Sequence, residues 1–158
     1  MKDNEYYMKD NEYYMKLALK EARKAYKHNE VPVGTIIVSN DKIIAKGNNQ
    51  RENSGDVTKH AELIAIRKAS KKKKDWRLND CTMYVTLFPC PMCASAIIQS
   101  RISKLVIGTS TMDLKNKEIV NLIFLDSIKN KKIILEENVL ENECSDILKS
   151  FFQTRREK

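Results

Sequence analysis

The chain is poor in glycine, 4 residues of 158, and rich in lysine and asparagine, a bias expected of an AT-rich genome. No uninterrupted apolar run approaches the roughly 20 residues of a membrane span, so a transmembrane protein is not expected. The start is charged and tyrosine-rich with no apolar core segment, so no secretory signal is expected either. Cysteines number only 4, and two of them suit a metal site, which argues for a reducing cytoplasm. The other two, Cys81 and Cys144, read as small buried apolar residues. What is present fits one soluble globular domain. Hydrophobic residues make up 42% and charged residues 32%, and 158 residues suffice for a real core without disulfide staples. A formal charge of +8 points to a polyanionic partner, although alone it says little.

Two short runs carry the chemistry. They are His60-Ala61-Glu62 and Pro89-Cys90-Pro91-Met92-Cys93, an H-x-E followed by a P-C-x-x-C. Cys90 and Cys93 stand three apart, so on one helical turn both sulfurs point the same way. Pro91 suits the first helical position, where a missing N–H costs nothing. The positive end of a helix there favours thiolates, the form that binds metal. With His60 as a third ligand, two thiolates and one imidazole leave a fourth position open, the mark of a catalytic zinc site. Such a zinc activates water, and Glu62 is the carboxylate beside it that accepts and returns protons. A lone C-x-x-C is more often a redox pair or half of a structural zinc knot. The conjunction with H-x-E, the flanking prolines and the preceding apolar strand is the signature of zinc deaminases of nucleosides and nucleobases.

Along the chain, residues 1–7 (MKDNEYY) recur as residues 8–14, too short and too few for a solenoid. Residues 1–11 read as a duplicated tail or an extension of the first helix, ahead of a single domain over 12–158. A helix is predicted from Glu12 to His28, with Tyr14, Ala18, Ala22 and Ala25 on its buried face. Thr35 to Val38 and Lys42 to Lys46 read as a hairpin. Gly47 to Thr58 is polar and turn-rich, a loop placed to touch substrate, with Asn48 and Asn49 either base contacts or plain turn residues. Lys59 to Ser70 reads as a helix with a lysine run at its negative end, Cys81 to Leu87 as a central strand, Pro91 to Ser100 as a helix and Lys104 to Gly108 as a strand parallel to the previous one. A helix over Lys117 to Leu125, a short strand over Ile133 to Leu135 and a long helix from Leu140 to Arg156 complete the prediction.

From about residue 12 to the end the chain resembles the bacterial tRNA-specific adenosine deaminases of the cytidine-deaminase-like superfamily. The resemblance rests on Glu12-Tyr13-Tyr14-Met15, Val31-Pro32-Val33-Gly34, His60-Ala61-Glu62, Leu78, Tyr84-Val85-Thr86-Leu87, Pro89-Cys90-Pro91-Met92-Cys93-Ala94, Ser100-Arg101-Ile102, Phe151-Phe152 and Arg155-Arg156. It implies an α/β fold, a three-layer α-β-α sandwich around a five-stranded mixed sheet, and a homodimer. It implies deamination of adenosine to inosine at the wobble position of a tRNA anticodon stem-loop, chiefly an arginine tRNA, with one Zn2+ per subunit. His60, Cys90 and Cys93 match the metal ligands, Glu62 the proton shuttle, and Asn49 a base-contacting asparagine. Pro89 falls in the substrate pocket. Arg155 and Arg156 read by default as packing and a basic end that suits the helix dipole, with contact to RNA phosphates as the other reading.

The pattern is broken twice. Phe88 stands where the family usually has glutamate, and the stretch Thr109 to Lys117 has no glycine, with Thr111 at the position of a family aspartate. Both departures bear on RNA specificity more than on zinc or deamination. Two other readings stay open: a deaminase of a small free base or nucleoside such as cytosine or guanine, and a non-catalytic zinc-stabilised RNA-binding subunit. Glu62 argues against the second.

Overall fold

A computed structural model describes residues 2–110 and 114–156. The elements run α1 (Lys2–Lys27), β1 (Gly34–Ser39), β2 (Lys42–Asn48), α2 (Arg51–Ser54), α3 (Ala61–Lys73), β3 (Cys81–Leu87), α4 (Pro91–Gln99), β4 (Lys104–Thr109), α5 (Leu114–Lys129), β5 (Ile134–Glu136) and α6 (Glu141–Arg156). Every predicted helix and strand is present. The one addition is α2, a single turn inside the stretch read as loop. It escapes periodicity because four polar residues are too few to show a period.

The five strands form one mixed sheet in the order β2-β1-β3-β4-β5. β1 is antiparallel to both β2 and β3, whereas β3, β4 and β5 are mutually parallel neighbours. The β1–β2 turn places Asn40 and Asp41 at φ 50° and 61°, the left-handed pair that a two-residue hairpin of matching twist demands. Alternation along the strands divides the core. Ile37, Met83, Val85, Leu105 and Ile107 face α3, α4 and α5, and Ile36, Val38, Tyr84 and Val106 face α1 and α6. The result is the expected three-layer sandwich, with Cys81 and Cys144 fully buried as small apolar residues. β3 is the middle strand, so its carboxyl end opens at the centre of the sheet edge where α4 begins.

α3 begins at Ala61, two residues later than predicted, and ends at Lys73 with Lys74 as a left-handed cap at φ 55°. That shift matters because it makes His60 the residue just before the helix. On the opposite face, β1 approaches α1 so closely that a Cβ at Gly34 would overlap the Ala18 carbonyl oxygen and the Ala22 nitrogen. Thr111, singled out in the sequence as a departure, lies outside the described residues.

Candidate active site

Two helix starts converge at the carboxyl end of β3. His60 is the N-cap residue of α3 and Cys90 the N-cap residue of α4, and neither side chain caps its own helix. Both are therefore free to face outward, with the positive ends of two helix dipoles behind them. Cys93 stands one turn into α4, and Pro91 occupies the first turn as predicted. His60 Nδ1 lies 3.7 Å from Cys90 Sγ and 3.5 Å from Cys93 Sγ. The three donor atoms lie within 4.8 Å of one another, a group able to hold one metal ion. A tetrahedral zinc with its usual bond lengths would set sulfur and nitrogen about 3.6 Å apart, so the donor set fits.

The electrostatics of the cluster suit a cation. Hydrogen bonding from the Cys93 thiol, with further help from His60, pushes the Cys90 thiol down to about 4. Cys93 moves the opposite way, raised by that same bond and by burial. A divalent metal bound here would favour the thiolate form of both cysteines. The hydrogen bond with Cys90 holds the His60 imidazole above its ordinary range.

Glu62 sits in the first turn of α3 and is buried at 4% exposure. Burial pushes its carboxyl up to about 7, and a cation held by the neighbouring cluster would draw it back down. It shares a cavity of about 200 Å³ with His60, Cys90, Pro89, Phe88 and Asn49. A larger hollow of about 1110 Å³ is lined by α3, α4 and the end of α5, with none of the three donors in its wall. Chemistry selects the smaller cavity.

Asn49 is held at both ends of its amide. Its Oδ1 accepts from the Ala61 N–H at 2.9 Å and its Nδ2 donates to the Val31 carbonyl at 3.1 Å. Asn48 turns to the other side of the sheet, where its Nδ2 donates to Glu21 at 3.3 Å. Of the two asparagines only Asn49 lines the cavity.

Residues 8–109 match the family model described as "Cytidine and deoxycytidylate deaminase zinc-binding region". The chain belongs to this zinc-binding deaminase family. It is 46% identical over 141 residues to the tRNA-specific adenosine deaminase of Buchnera aphidicola subsp. Schizaphis graminum, covering 89% of this chain and 93% of that protein. A solved structure from work on A-to-I editing by tRNA:A34 deaminases at the wobble position superposes with a TM-score of 0.76 at 35% identity, over 86% of this chain and 99% of that one. The guanine deaminase of Bacillus subtilis superposes with a TM-score of 0.59 at 37% identity, over 61% and 62% of the two chains.

Within this deaminase the predicted site residues fall into two places. His60, Glu62, Pro89, Cys90 and Asn49 line one cavity, and Cys93 joins its metal donors. Arg155 lies elsewhere: its guanidinium sits 4.4 Å over the Phe151 ring and donates to the Asn29 carbonyl. Arg156 ends α6, exposed. Several cavity residues carried no motif and were not singled out, Glu30, Arg51 and Lys117 among them. Arg51 and Glu30 line one wall, and Lys117 lies with its Nζ 5.4 Å from the centre of the Phe88 ring. Lys117 also donates to Ser110 Oγ at 3.1 Å and pairs with Glu137 at 3.5 Å. At the position where the resemblance expects an acid, the wall is thus an aromatic ring beneath a cation.

Proposed function

We propose that the protein hydrolyses adenosine to inosine at the wobble position of a tRNA anticodon stem-loop, releasing ammonia. The observation that carries this is the triangle of His60, Cys90 and Cys93 beside buried Glu62, in a chain 46% identical to a tRNA-specific adenosine deaminase. His60, Cys90 and Cys93 would hold one zinc per subunit, and the metal would supply an activated water there. Glu62 would move the two protons of that water in turn, the first to the purine ring nitrogen and the second to the departing amine. A C–O bond forms at the amine-bearing carbon and the C–N bond breaks, so water is consumed and ammonia released. Burial keeps bulk water from competing at Glu62. Asn49, held rigid at both ends, presents its remaining hydrogen-bonding capacity to the base, and Pro89 walls the pocket. The flipped base enters from an anticodon loop, where unstacking costs little.

Arg156 is assigned to RNA phosphates, while Arg155 is held by the Phe151 ring and the Asn29 carbonyl, and an arginine tRNA is the substrate the family resemblance favours. The working unit is a homodimer of the domain over residues 12–158, and residues 1–11 are a duplicated tail, of which residues 2–11 form the first turns of α1. A second copy suits the outward side of α5, where Ile119, Leu122, Leu125 and Ile128 stand exposed. The proposed location is the cytoplasm; no helix among the described residues is long and apolar enough to cross a membrane.

A second reading has one observation behind it, the likeness to a guanine deaminase at 37% identity. A deamination assay decides between them, using an adenosine-34 anticodon stem-loop with free guanine, cytosine and cytidine in parallel. Inosine formed on the stem-loop alone supports the first reading. Turnover of a free base alone keeps the zinc chemistry and moves the protein to small substrates.

A further inference from the structure

We propose that Glu30 is a positioning residue for the substrate loop, holding α2 and Asn49 in register with the cavity through its buried carboxylate. The assignment rests on the function proposed above. Glu30 is 1% exposed and lines the cavity wall, yet it belongs to neither motif. A carboxylate so placed is costly unless it is compensated. No lysine or arginine forms a salt bridge with it among the described residues. Three N–H groups of α2 compensate it instead. The backbone N–H groups of Glu52 and Asn53 donate to its two oxygens at 2.9 and 2.8 Å, and Asn53 Nδ2 donates at 2.6 Å.

The carboxylate is itself held on a rigid base. Asn29 is left-handed at φ 60°, its N–H bonds the Tyr26 carbonyl, and the Glu30 N–H bonds the Ala25 carbonyl. These are the paired bonds of a Schellman motif, which fix the backbone as it leaves α1. From that base the chain is stitched to the substrate loop along its length. Asn53 Nδ2 also reaches the His28 carbonyl at 2.8 Å, the Asn49 N–H bonds the Val33 carbonyl at 3.2 Å, and the Asn49 amide bridges Val31 and Ala61. Glu30 is the charged member of this seam. It orders the stretch from Asn49 to Asn53, and with it Arg51 at the cavity wall. A loop so held grips ground state and transition state alike, so its loss appears in KM.

The test uses the zinc-loaded full chain, comparing Glu30→Gln and Glu30→Asp with the unaltered protein. Glu30→Gln keeps the shape but turns one acceptor oxygen into a donor facing an N–H. We expect KM for the adenosine-34 stem-loop to rise roughly tenfold or more with kcat within about twofold. Glu30→Asp keeps the charge and falls between. Metal content stays at one ion per chain, and hydrogen exchange at the Glu52 and Asn53 amides accelerates. Should Glu30→Gln not fold, Asn53→Ala removes one of the three donors from an exposed residue and gives a smaller rise in KM. Unchanged KM in the folded variants, or unchanged exchange at those amides, overturns the proposal. If the unaltered protein does not turn over the stem-loop, the functional reading fails and the exchange measurement still decides whether Glu30 holds α2.

Discussion

Gly47 of β2 lies flat against the carbonyl oxygen of Ala61, so close that a methyl group on its Cα would overlap that oxygen. Ala61 stands between His60, a candidate metal donor, and Glu62, the buried carboxylate. The contact therefore sets how deeply the start of α3 sits over the sheet. Gly47→Ala must push that helix start outward, since the obstacle is backbone and cannot rotate away. Overpacking of this kind costs about 1–3 kcal/mol. The prediction is a weakened zinc site, read by competition with a chromophoric chelator, together with a lowered melting temperature. Full zinc affinity in a destabilised variant would mean that α3 moves without disturbing His60.

Binding and chemistry separate between Cys93 and Glu62. Cys93→Ala removes one of three donors and is expected to abolish stoichiometric zinc, with turnover lost as a consequence. Glu62→Ala leaves the donors in place, so one zinc per chain is retained while turnover falls roughly 10²- to 10⁴-fold. Metal analysis beside a single-turnover assay checks both. Turnover surviving in Glu62→Ala would remove the carboxylate from the mechanism.

How much of this could be read beforehand follows from the range over which each feature is encoded. His60, Glu62, Cys90 and Cys93 announce themselves because their chemistry demands fixed local spacing and each helix start is written beside its ligand. The hairpin and the buried strands follow from alternation and from Asn40-Asp41. Glu30 is invisible by the same logic, because its partners Glu52 and Asn53 lie 22 and 23 residues away and an acid near a turn looks solvated. Asn48 and Asn49 are equivalent on paper, and only the fold sends the first, the last residue of β2, to Glu21 and the second, just past the strand, to the cavity. Arg155 and Arg156 read as a pair, yet the helical turn between them gives one a ring and a carbonyl and leaves the other in solvent.

A surface ion pair gives a dependence of stability on acid. Asp80 accepts from Lys73 and from the Ser39 hydroxyl, the latter at 2.7 Å, and these bonds, Lys73 first, hold its carboxyl down to about 2. A carboxyl depressed when folded stabilises the protein above its unfolded value of about 3.9, and the contribution is lost as pH falls toward 2. The Asp80 side chain is 47% exposed, so solvent and salt reduce the contribution to about 0.5 kcal/mol. Asp80→Asn should lower stability slightly at neutral pH and flatten its decline between about pH 4 and 2. Urea denaturation at several pH values measures this. A variant whose decline stays parallel to that of the unaltered protein would assign the slope to other carboxylates.

The two terminal arginines should part company under mutation. Arg155 already spends its guanidinium on the Phe151 ring and the Asn29 carbonyl, tying the end of α6 to the turn that carries Glu30. Removing it by Arg155→Ala costs about 1–2 kcal/mol of stability through the lost cation–π contact and hydrogen bond. Arg156 has no such contact among the described residues and stands exposed at the helix end. Arg156→Ala should leave the melting temperature unchanged, weaken stem-loop binding and make that binding less sensitive to salt by about one counterion. Thermal unfolding and a salt titration of binding separate the two effects. If Arg155→Ala instead reduces the salt dependence with no loss of stability, its guanidinium leaves the ring for phosphate when RNA binds, and the end of α6 rearranges with it.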